Sequence, residues 1–232
     1  MANVLRFLVG LALLPACWAA VRAFVDALVA AVGAEGAVSV ETLSLLGGIA
    51  AFAVAWMALP HPVKTYVLGH ELTHALWGLL FGAVPSKVRV GATGGSVMLS
   101  KTNLLITLAP YFFPFYTFVV IVVALVTYAF VRPLPCLPLW MFLVGVTWSF
   151  HVLFTLETLT QRQPDVTAYG RLFSWAVIFI VNVAIVLVWF AVATPLTFAE
   201  LGGIVVRRAL AAYVGVAQAF ANAAEWIARH VS

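Results

Sequence analysis

Charged residues are scarce in this sequence: Asp, Glu, Lys and Arg make up only 9% of its 232 residues, whereas 65% are hydrophobic. A soluble domain carries about a quarter charged residues, because its water-facing surface needs them. This chain cannot cover a globule with polar side chains, so we expect a lipid bilayer to be its solvent. The net charge of +4 is small and scattered. A nucleic-acid surface needs a clustered basic face, so we expect no nucleic-acid partner.

Cysteine is nearly absent, and long polar segments are missing. Cys17 and Cys136 both lie in apolar surroundings and indicate no disulfide framework. No polar block is long enough to form a second domain, so the sequence predicts a single membrane domain over residues 1–232. The N-terminal apolar run resumes after Arg22, which favours a retained membrane helix over a cleaved signal peptide.

Apolar runs of the length that crosses a bilayer, about 20 residues, recur along the chain. They predict an all-α polytopic membrane protein with about six transmembrane helices, over residues 4–32, 43–59, 64–81, 104–131, 139–159 and 172–193. We expect N-terminal membrane helices over 1–63 and a core over 64–194. Polar residues recur at helical spacing near the end, which predicts an amphipathic helix over 195–232 that lies at the membrane interface or packs on the helix bundle.

The segment SKVRVGATGGSVMLSK, residues 86–101, does not fit a plain helix bundle. Its β-branched residues flank a glycine-rich centre, which is the pattern of a β-hairpin. Lys and Arg are more frequent in the loops on this side of the predicted helices than in those on the other side. The positive-inside rule therefore predicts that the hairpin side, and with it the site described next, faces the cytoplasm.

The stretch VLGHELTHALWGLL, residues 67–80, places two histidines and a glutamate among apolar residues. His70 and His74 are four residues apart, so a helix presents both on one face, where they can bind one metal ion. Neutral imidazole suits zinc, and Glu71 can take a proton from the water that such an ion activates. The alternative is that these residues only bond between helices. A charged residue deep in a span costs about 2.5–3.5 kcal/mol and is usually functional, which favours the metal site.

A catalytic zinc ion takes three protein ligands and keeps one position for water. The sequence offers three candidates for the third ligand: His151, Glu157 and Asp165. Asp165 follows Pro164 in a polar break between two apolar runs, and such a break can line a cavity at membrane depth. Asp165 can equally cap the next helix, because Asp favours N-cap positions. The residues by themselves leave these alternatives open.

The order of these motifs resembles the site-2 protease family of intramembrane zinc metallopeptidases. HELTHALWGLLFGAVPSKVRV is similar to the family's HExxH helix and the strand after it, GGSVMLSKTNLLITLAPYFFPFY to its hairpin and Gly-Pro helix, and QRQPDVTAYGRLF to its aspartate motif. The resemblance covers about residues 64–172 and is that of a divergent member. Ala109 stands where the family has Gly before Pro, and Pro164 and Val166 replace the Leu and Gly around the aspartate.

The resemblance implies that His70, His74 and Asp165 bind Zn²⁺ and that Glu71 is the catalytic acid/base. It also implies that an edge strand near residues 97–100 holds an extended segment of a transmembrane protein substrate by backbone pairing. The expected activity is hydrolysis of a peptide bond in or near a transmembrane segment. The alternatives are a catalytically inactive scaffold that binds membrane proteins, favoured by the departures around Asp165, and a metal transporter.

Overall fold

The computed structural model describes residues 2–34, 39–91 and 94–231, and it is helical apart from one small sheet. The order of elements is α1 (Ala2–Ala34), α2 (Val40–Ala58), α3 (Val63–Leu80), β1 (Pro85–Val90), β2 (Gly95–Leu99), α4 (Leu104–Leu108), a 3₁₀ turn (Ala109–Tyr111), α5 (Phe115–Phe130), α6 (Leu137–Thr160), α7 (Pro164–Ala168), α8 (Arg171–Ala193) and α9 (Phe198–Val231). The predicted all-α class with an inserted β-hairpin is confirmed at this level.

Five helices of the described ranges are long and apolar enough to cross a membrane, namely α1, α2, α6, α8 and α9. A sixth span results if the bent pair that α4 and the 3₁₀ turn form with α5 counts as one. The helix that carries HELTH, α3, is not among them, because Lys64 and the polar residues around Glu71 lower its hydropathy. These findings are compatible with a membrane protein of about the predicted number of spans.

Two of the predicted helices differ from the structure. The span predicted over residues 104–131 is not one straight helix, because the chain turns by 84° between Tyr111 and Phe115. Pro110 and Pro114 lie at this turn, and a proline ring cannot continue an α-helix. The C-terminal helix α9, predicted to lie at the interface or on the helix bundle, is itself long and apolar enough to be a span.

The chain divides into two compact units, Met1–Ala37 with Tyr169–Ser232 and Val38–Ala168. In the first unit α1 packs against α8 and α9 around a small core that includes Ala23, Ala27 and Leu201. The Arg208 guanidinium donates twice to the Asp26 carboxylate, at 2.5 and 2.8 Å, and ties α9 to α1. The predicted partition of the chain at residues 64 and 195 stays a prediction.

In the second unit α2 and α6 cross at very short range, and glycines on both helices allow it. A Cβ atom at Gly48 would collide with the carbonyl oxygen of Phe142, and a Cβ atom at Gly145 would collide with that of Leu45. The backbones therefore touch where side chains would normally separate them, as in small-residue helix contacts within membranes. This crossing fixes α6, whose end leads to the short helix α7.

The helix α3 ends in a glycine motif that sends the chain into the hairpin. Gly82 adopts a left-handed backbone with φ of 70°, which costs glycine little. The N–H of Ala83 donates to the Gly78 carbonyl at 2.8 Å and the N–H of Gly82 to the Leu79 carbonyl at 2.9 Å, the pattern of a Schellman cap. Strands β1 and β2 then pair antiparallel, with an irregularity between Ser86 and Arg89, as the glycine-centred segment predicts.

We expect Gly48→Ala to lower the stability of the protein by about 1–3 kcal/mol, because overpacking a tight contact has this cost. The matched control is the neighbouring Gly47→Ala, whose added methyl would meet its nearest atom, on Phe142, only at 4.0 Å. In detergent, thermal unfolding should show a lower midpoint for Gly48→Ala and an unchanged or higher one for Gly47→Ala, since alanine is the better helix former. Equal midpoints for the two variants would contradict the close crossing.

Candidate metal centre

The helix α3 presents His70 and His74 one turn apart on the same face, with their ring centroids 4.9 Å apart. Each side chain is only 12% exposed. This arrangement follows directly from the spacing of four residues, which brings side chains onto one face of a helix. The two predicted imidazoles therefore lie side by side, largely buried within the second compact unit.

The third member of the site comes from the short helix α7, which begins at Pro164 after the end of α6. The Oδ2 atom of Asp165 lies 3.5 Å from Nε2 of His70 and 3.4 Å from Nε2 of His74. The three ligand atoms lie within 4.8 Å of one another, close enough to hold one metal ion. Asp165 lies inside α7, and the next long helix, α8, has Gly170 as its N-cap, so the prediction that Asp165 caps that helix is wrong.

These separations can be compared with a tetrahedral zinc site, in which N and O ligands lie about 2.0–2.1 Å from the metal and therefore about 3.3–3.4 Å from one another. The two Nε2–Oδ2 distances of 3.4 and 3.5 Å agree with that spacing. Two imidazoles and a carboxylate also form a donor set found in catalytic zinc sites. The two His–Asp distances and the donor set thus suit a divalent metal ion, zinc among them.

A backbone carbonyl orients His74 for metal binding. The Nδ1 atom of His74 lies 2.9 Å from the carbonyl oxygen of Ile106, and a carbonyl only accepts, so Nδ1 carries the proton and Nε2 keeps its lone pair. Asn103 caps α4 by accepting from the N–H of Ile106 at 2.9 Å and so holds this carbonyl in place. Metal-binding histidines commonly have such a partner on the second nitrogen.

His70, His74 and Asp165 are called the trio below. Tyrosine hydroxyls contact its other two members, His70 and Asp165. The hydroxyl of Tyr66 lies 3.5 Å from Nδ1 of His70, and the hydroxyl of Tyr111 donates to Oδ2 of Asp165 at 3.2 Å. Tyr111 is completely buried. Tyr111 therefore packs inside the protein, beside the site.

The Asp165 carboxyl is held in its ionised form. Burial acts to raise its pKa, but the interactions with the adjacent His70 and His74 imidazoles outweigh burial and hold the pKa below its ordinary value. The side chain is therefore an anion at neutral pH, which is the form that binds a cation.

Glu71 lies beside the trio and against the hairpin. It is buried, with 6% of its surface exposed, and its carboxylate lies near the backbone of Val97 in β2. A Cβ atom at Gly95 would lie 2.7 Å from Cγ of Glu71, so only glycine lets β2 approach α3 this closely. The predicted acid/base and the predicted edge strand are thus in direct contact.

The trio and Glu71 line a cavity of about 550 Å³. One wall is β2, represented by Gly95, Ser96 and Val97, and another is the polar break after α6, represented by Gln161 and Gln163. A cavity of this size is typical of small-ligand and substrate sites. Both the hairpin and these glutamines therefore border the site.

The other two candidates for the third ligand lie outside the group formed by His70, His74 and Asp165. Glu157 lines the same cavity, but its Oε2 atom lies 3.6 Å from Nδ1 of His61. His151 is buried, and its Nε2 atom has no hydrogen-bond partner among the residues that the structure describes. It lines a separate cavity of about 20 Å³ behind His70. Neither belongs to the three-residue group around the histidines.

The chain matches no protein-family model, no curated protein and no solved structure. What can be said of its function therefore depends on the motifs and on the geometry of this site.

Two parts of the site were not foreseen from the sequence: the Ile106 carbonyl and Tyr111. A carbonyl leaves no mark in a sequence, because every residue has one. Asn103 and Pro110 are a usable signal, since a helix cap and a proline seven residues later indicate a short, interrupted helix. Nothing in the aromatic run distinguishes Tyr111 from its neighbours.

We expect detergent-purified protein to bind about one zinc ion per chain, and Asp165→Ala to lose most of that affinity, because the variant keeps only two of the three ligands. Zinc per chain, measured by mass spectrometry after dialysis against a fixed free zinc concentration, checks this. Glu157→Ala is the matched control, since it removes a carboxylate from the same cavity but outside the trio. Equal zinc loss in the two variants would argue against Asp165 as the ligand.

Proposed function

We propose that this protein is an integral membrane zinc endopeptidase that hydrolyses peptide bonds in or near the transmembrane segments of other membrane proteins. The observation that carries the proposal is the convergence of His70, His74 and Asp165 beside Glu71, at a cavity whose wall is the strand β2. Metal-binding spacing, an adjacent carboxylate and a strand edge are the three parts that such chemistry needs.

The membrane location rests on composition and on the exposed surface. Large apolar side chains are widely exposed on α1, α2, α5 and α9, among them Val29, Met57, Phe130 and Phe220. Exposed apolar side chains in this number indicate a lipid surface or a partner. The hairpin side of the protein, and with it the site, is proposed to face the cytoplasm on the basis of the loop charges.

The roles of the residues follow from their positions. A zinc ion held by His70, His74 and Asp165 would polarise the scissile carbonyl and make water acidic enough to attack it near neutral pH. Glu71 takes the proton from that water and delivers it to the leaving amine. Asp165 and the two imidazoles hold the metal, and the Ile106 carbonyl keeps His74 in the tautomer that can do so.

The strand β2 is proposed to hold the substrate. A transmembrane helix must unwind before its amides can be cut, and its freed N–H and C=O groups then need new partners. In the described two-stranded sheet β2 has one edge paired with β1 and a second edge without a strand partner, and residues of β2 line the cavity. An extended segment that pairs with this edge would run past Glu71 and the trio.

The scaffold alternative has one observation in its favour: Glu71 is covered by the hairpin, with Gly95 and Val97 in contact with it. A scaffold would keep this closed arrangement, whereas a protease must let β2 yield to a substrate. The two functions differ in what becomes of a bound membrane protein, which is either cut or left intact.

We expect Glu71→Gln to reduce cleavage of a reconstituted single-span substrate by about 10²–10⁴-fold, because it removes the general base. Zinc content should stay at the wild-type level, since Glu71 is outside the trio. The measurement is the rate of product formation in proteoliposomes, tested on a panel of single-span proteins, together with zinc per chain.

Two outcomes would overturn the protease proposal. In the first, Glu71→Gln cleaves as fast as wild type, which would indicate a contaminating protease. In the second, wild type and variant capture the same membrane proteins equally and neither cuts them, which is the result expected of a scaffold. The chelator 1,10-phenanthroline, with its non-chelating 1,7 isomer as control, separates metal-dependent cleavage from the rest.

A further inference from the structure

Asp165, the residue that reaches the two histidines, lies on a helix with little stability of its own. The helix α7 has five residues, and helices this short do not persist without support from their surroundings. The Asp165 side chain is also 28% exposed, more than either histidine. Something outside α7 must therefore keep its carboxylate oxygen at metal-binding distance when no metal holds it there.

Tyr111 is in the position to do this. It ends the 3₁₀ turn that follows α4, its hydroxyl donates to Oδ2 of Asp165 at 3.2 Å, and its ring packs edge-on against His70 with centroids 5.3 Å apart. The oxygen it bonds is the same atom that faces Nε2 of both histidines. One buried side chain thus contacts two of the three members of the site from the protein interior.

We propose that Tyr111 is a positioning residue of the metal centre, one that holds the Asp165 carboxylate in the orientation required of the third ligand. It does not touch the substrate, because it is completely buried behind the trio. This inference rests on the proposed metal site.

The identity of the residue supports this role. A phenylalanine would fill the same apolar space, and a buried hydroxyl costs stability unless it has a partner. The partner here is an ionised carboxylate, and hydrogen bonds to charged acceptors are the stronger kind. A hydroxyl that donates to a ligating oxygen leaves one lone pair of that oxygen for the metal and fixes its direction.

The test is Tyr111→Phe, which removes a single oxygen and keeps the ring against His70. We expect its zinc affinity to fall about 10–100-fold, the usual effect of losing a partner of a metal ligand. Affinity is measured by competition with a chromogenic chelator on the purified full-length protein. The visible absorption of the cobalt(II)-loaded protein should also change, because it reports ligand geometry, which a general loss of stability would not alter.

The chain offers a matched control in Tyr116→Phe. That hydroxyl donates to the backbone carbonyl of Thr65, also on α3, at 2.6 Å and reaches none of the three ligands. We expect its zinc affinity and cobalt spectrum to stay within about twofold of wild type, well inside the 10–100-fold effect of a lost ligand partner. Equal losses in the two variants would overturn the proposal, because they would show a general effect of removing a hydrogen-bonded tyrosine hydroxyl near α3.

A double-mutant cycle with Asp165→Ala decides whether Tyr111 acts through the aspartate. We expect Tyr111→Phe to cause no further loss of zinc affinity in the Asp165→Ala background. A loss there as large as in the wild-type background would show that Tyr111 acts on the fold or on His70 alone. If wild type binds zinc and Tyr111→Phe binds it equally well, only this inference fails. Wild-type protein that binds no zinc would overturn the metal site and the role of Tyr111 with it.

Discussion

A carboxylate shared between two imidazoles is the interaction on which the second unit of this protein depends. Asp165 reaches His70 and His74 through the one oxygen that lies 3.5 and 3.4 Å from their Nε2 atoms. Groups of this polarity are costly in an apolar protein unless they satisfy one another or hold an ion. The surrounding elements bring the Asp165 side chain on α7 to the His70 and His74 side chains on α3.

Each of these elements has a local cause in the sequence. Pro164 starts a new short helix after α6, the Gly82 cap turns the chain from α3 into the hairpin, and Asn103 starts α4 so that the Ile106 carbonyl reaches His74. Glycine at position 95 lets β2 approach Glu71. The same contacts give the proposed enzyme its parts: a metal site, a base beside it and a strand edge at the cavity.

Much of this fold could be predicted from the sequence, because its strongest signals are local. Apolar runs indicated the long helices, a glycine-centred segment indicated the hairpin, and the spacing of four residues placed both histidines on one face. The choice of Asp165 over Glu157 and His151 could not be derived from spacing, since it depends on how α6 ends and α7 folds back. The 84° turn after Tyr111 and the burial of that tyrosine were missed for a related reason. An apolar run gives the same hydropathy whether it is straight or broken, and one aromatic residue in it looks like the next.

X-ray absorption at the zinc edge of the purified, zinc-loaded protein tests the central claim most directly, because it counts and identifies the atoms bound to the metal. The account predicts a four-coordinate ion with only N and O neighbours at about 2.0–2.1 Å, and outer-shell scattering from two imidazoles. One imidazole in place of two, a sulfur neighbour at about 2.3 Å, or an ion surrounded by water alone would contradict it.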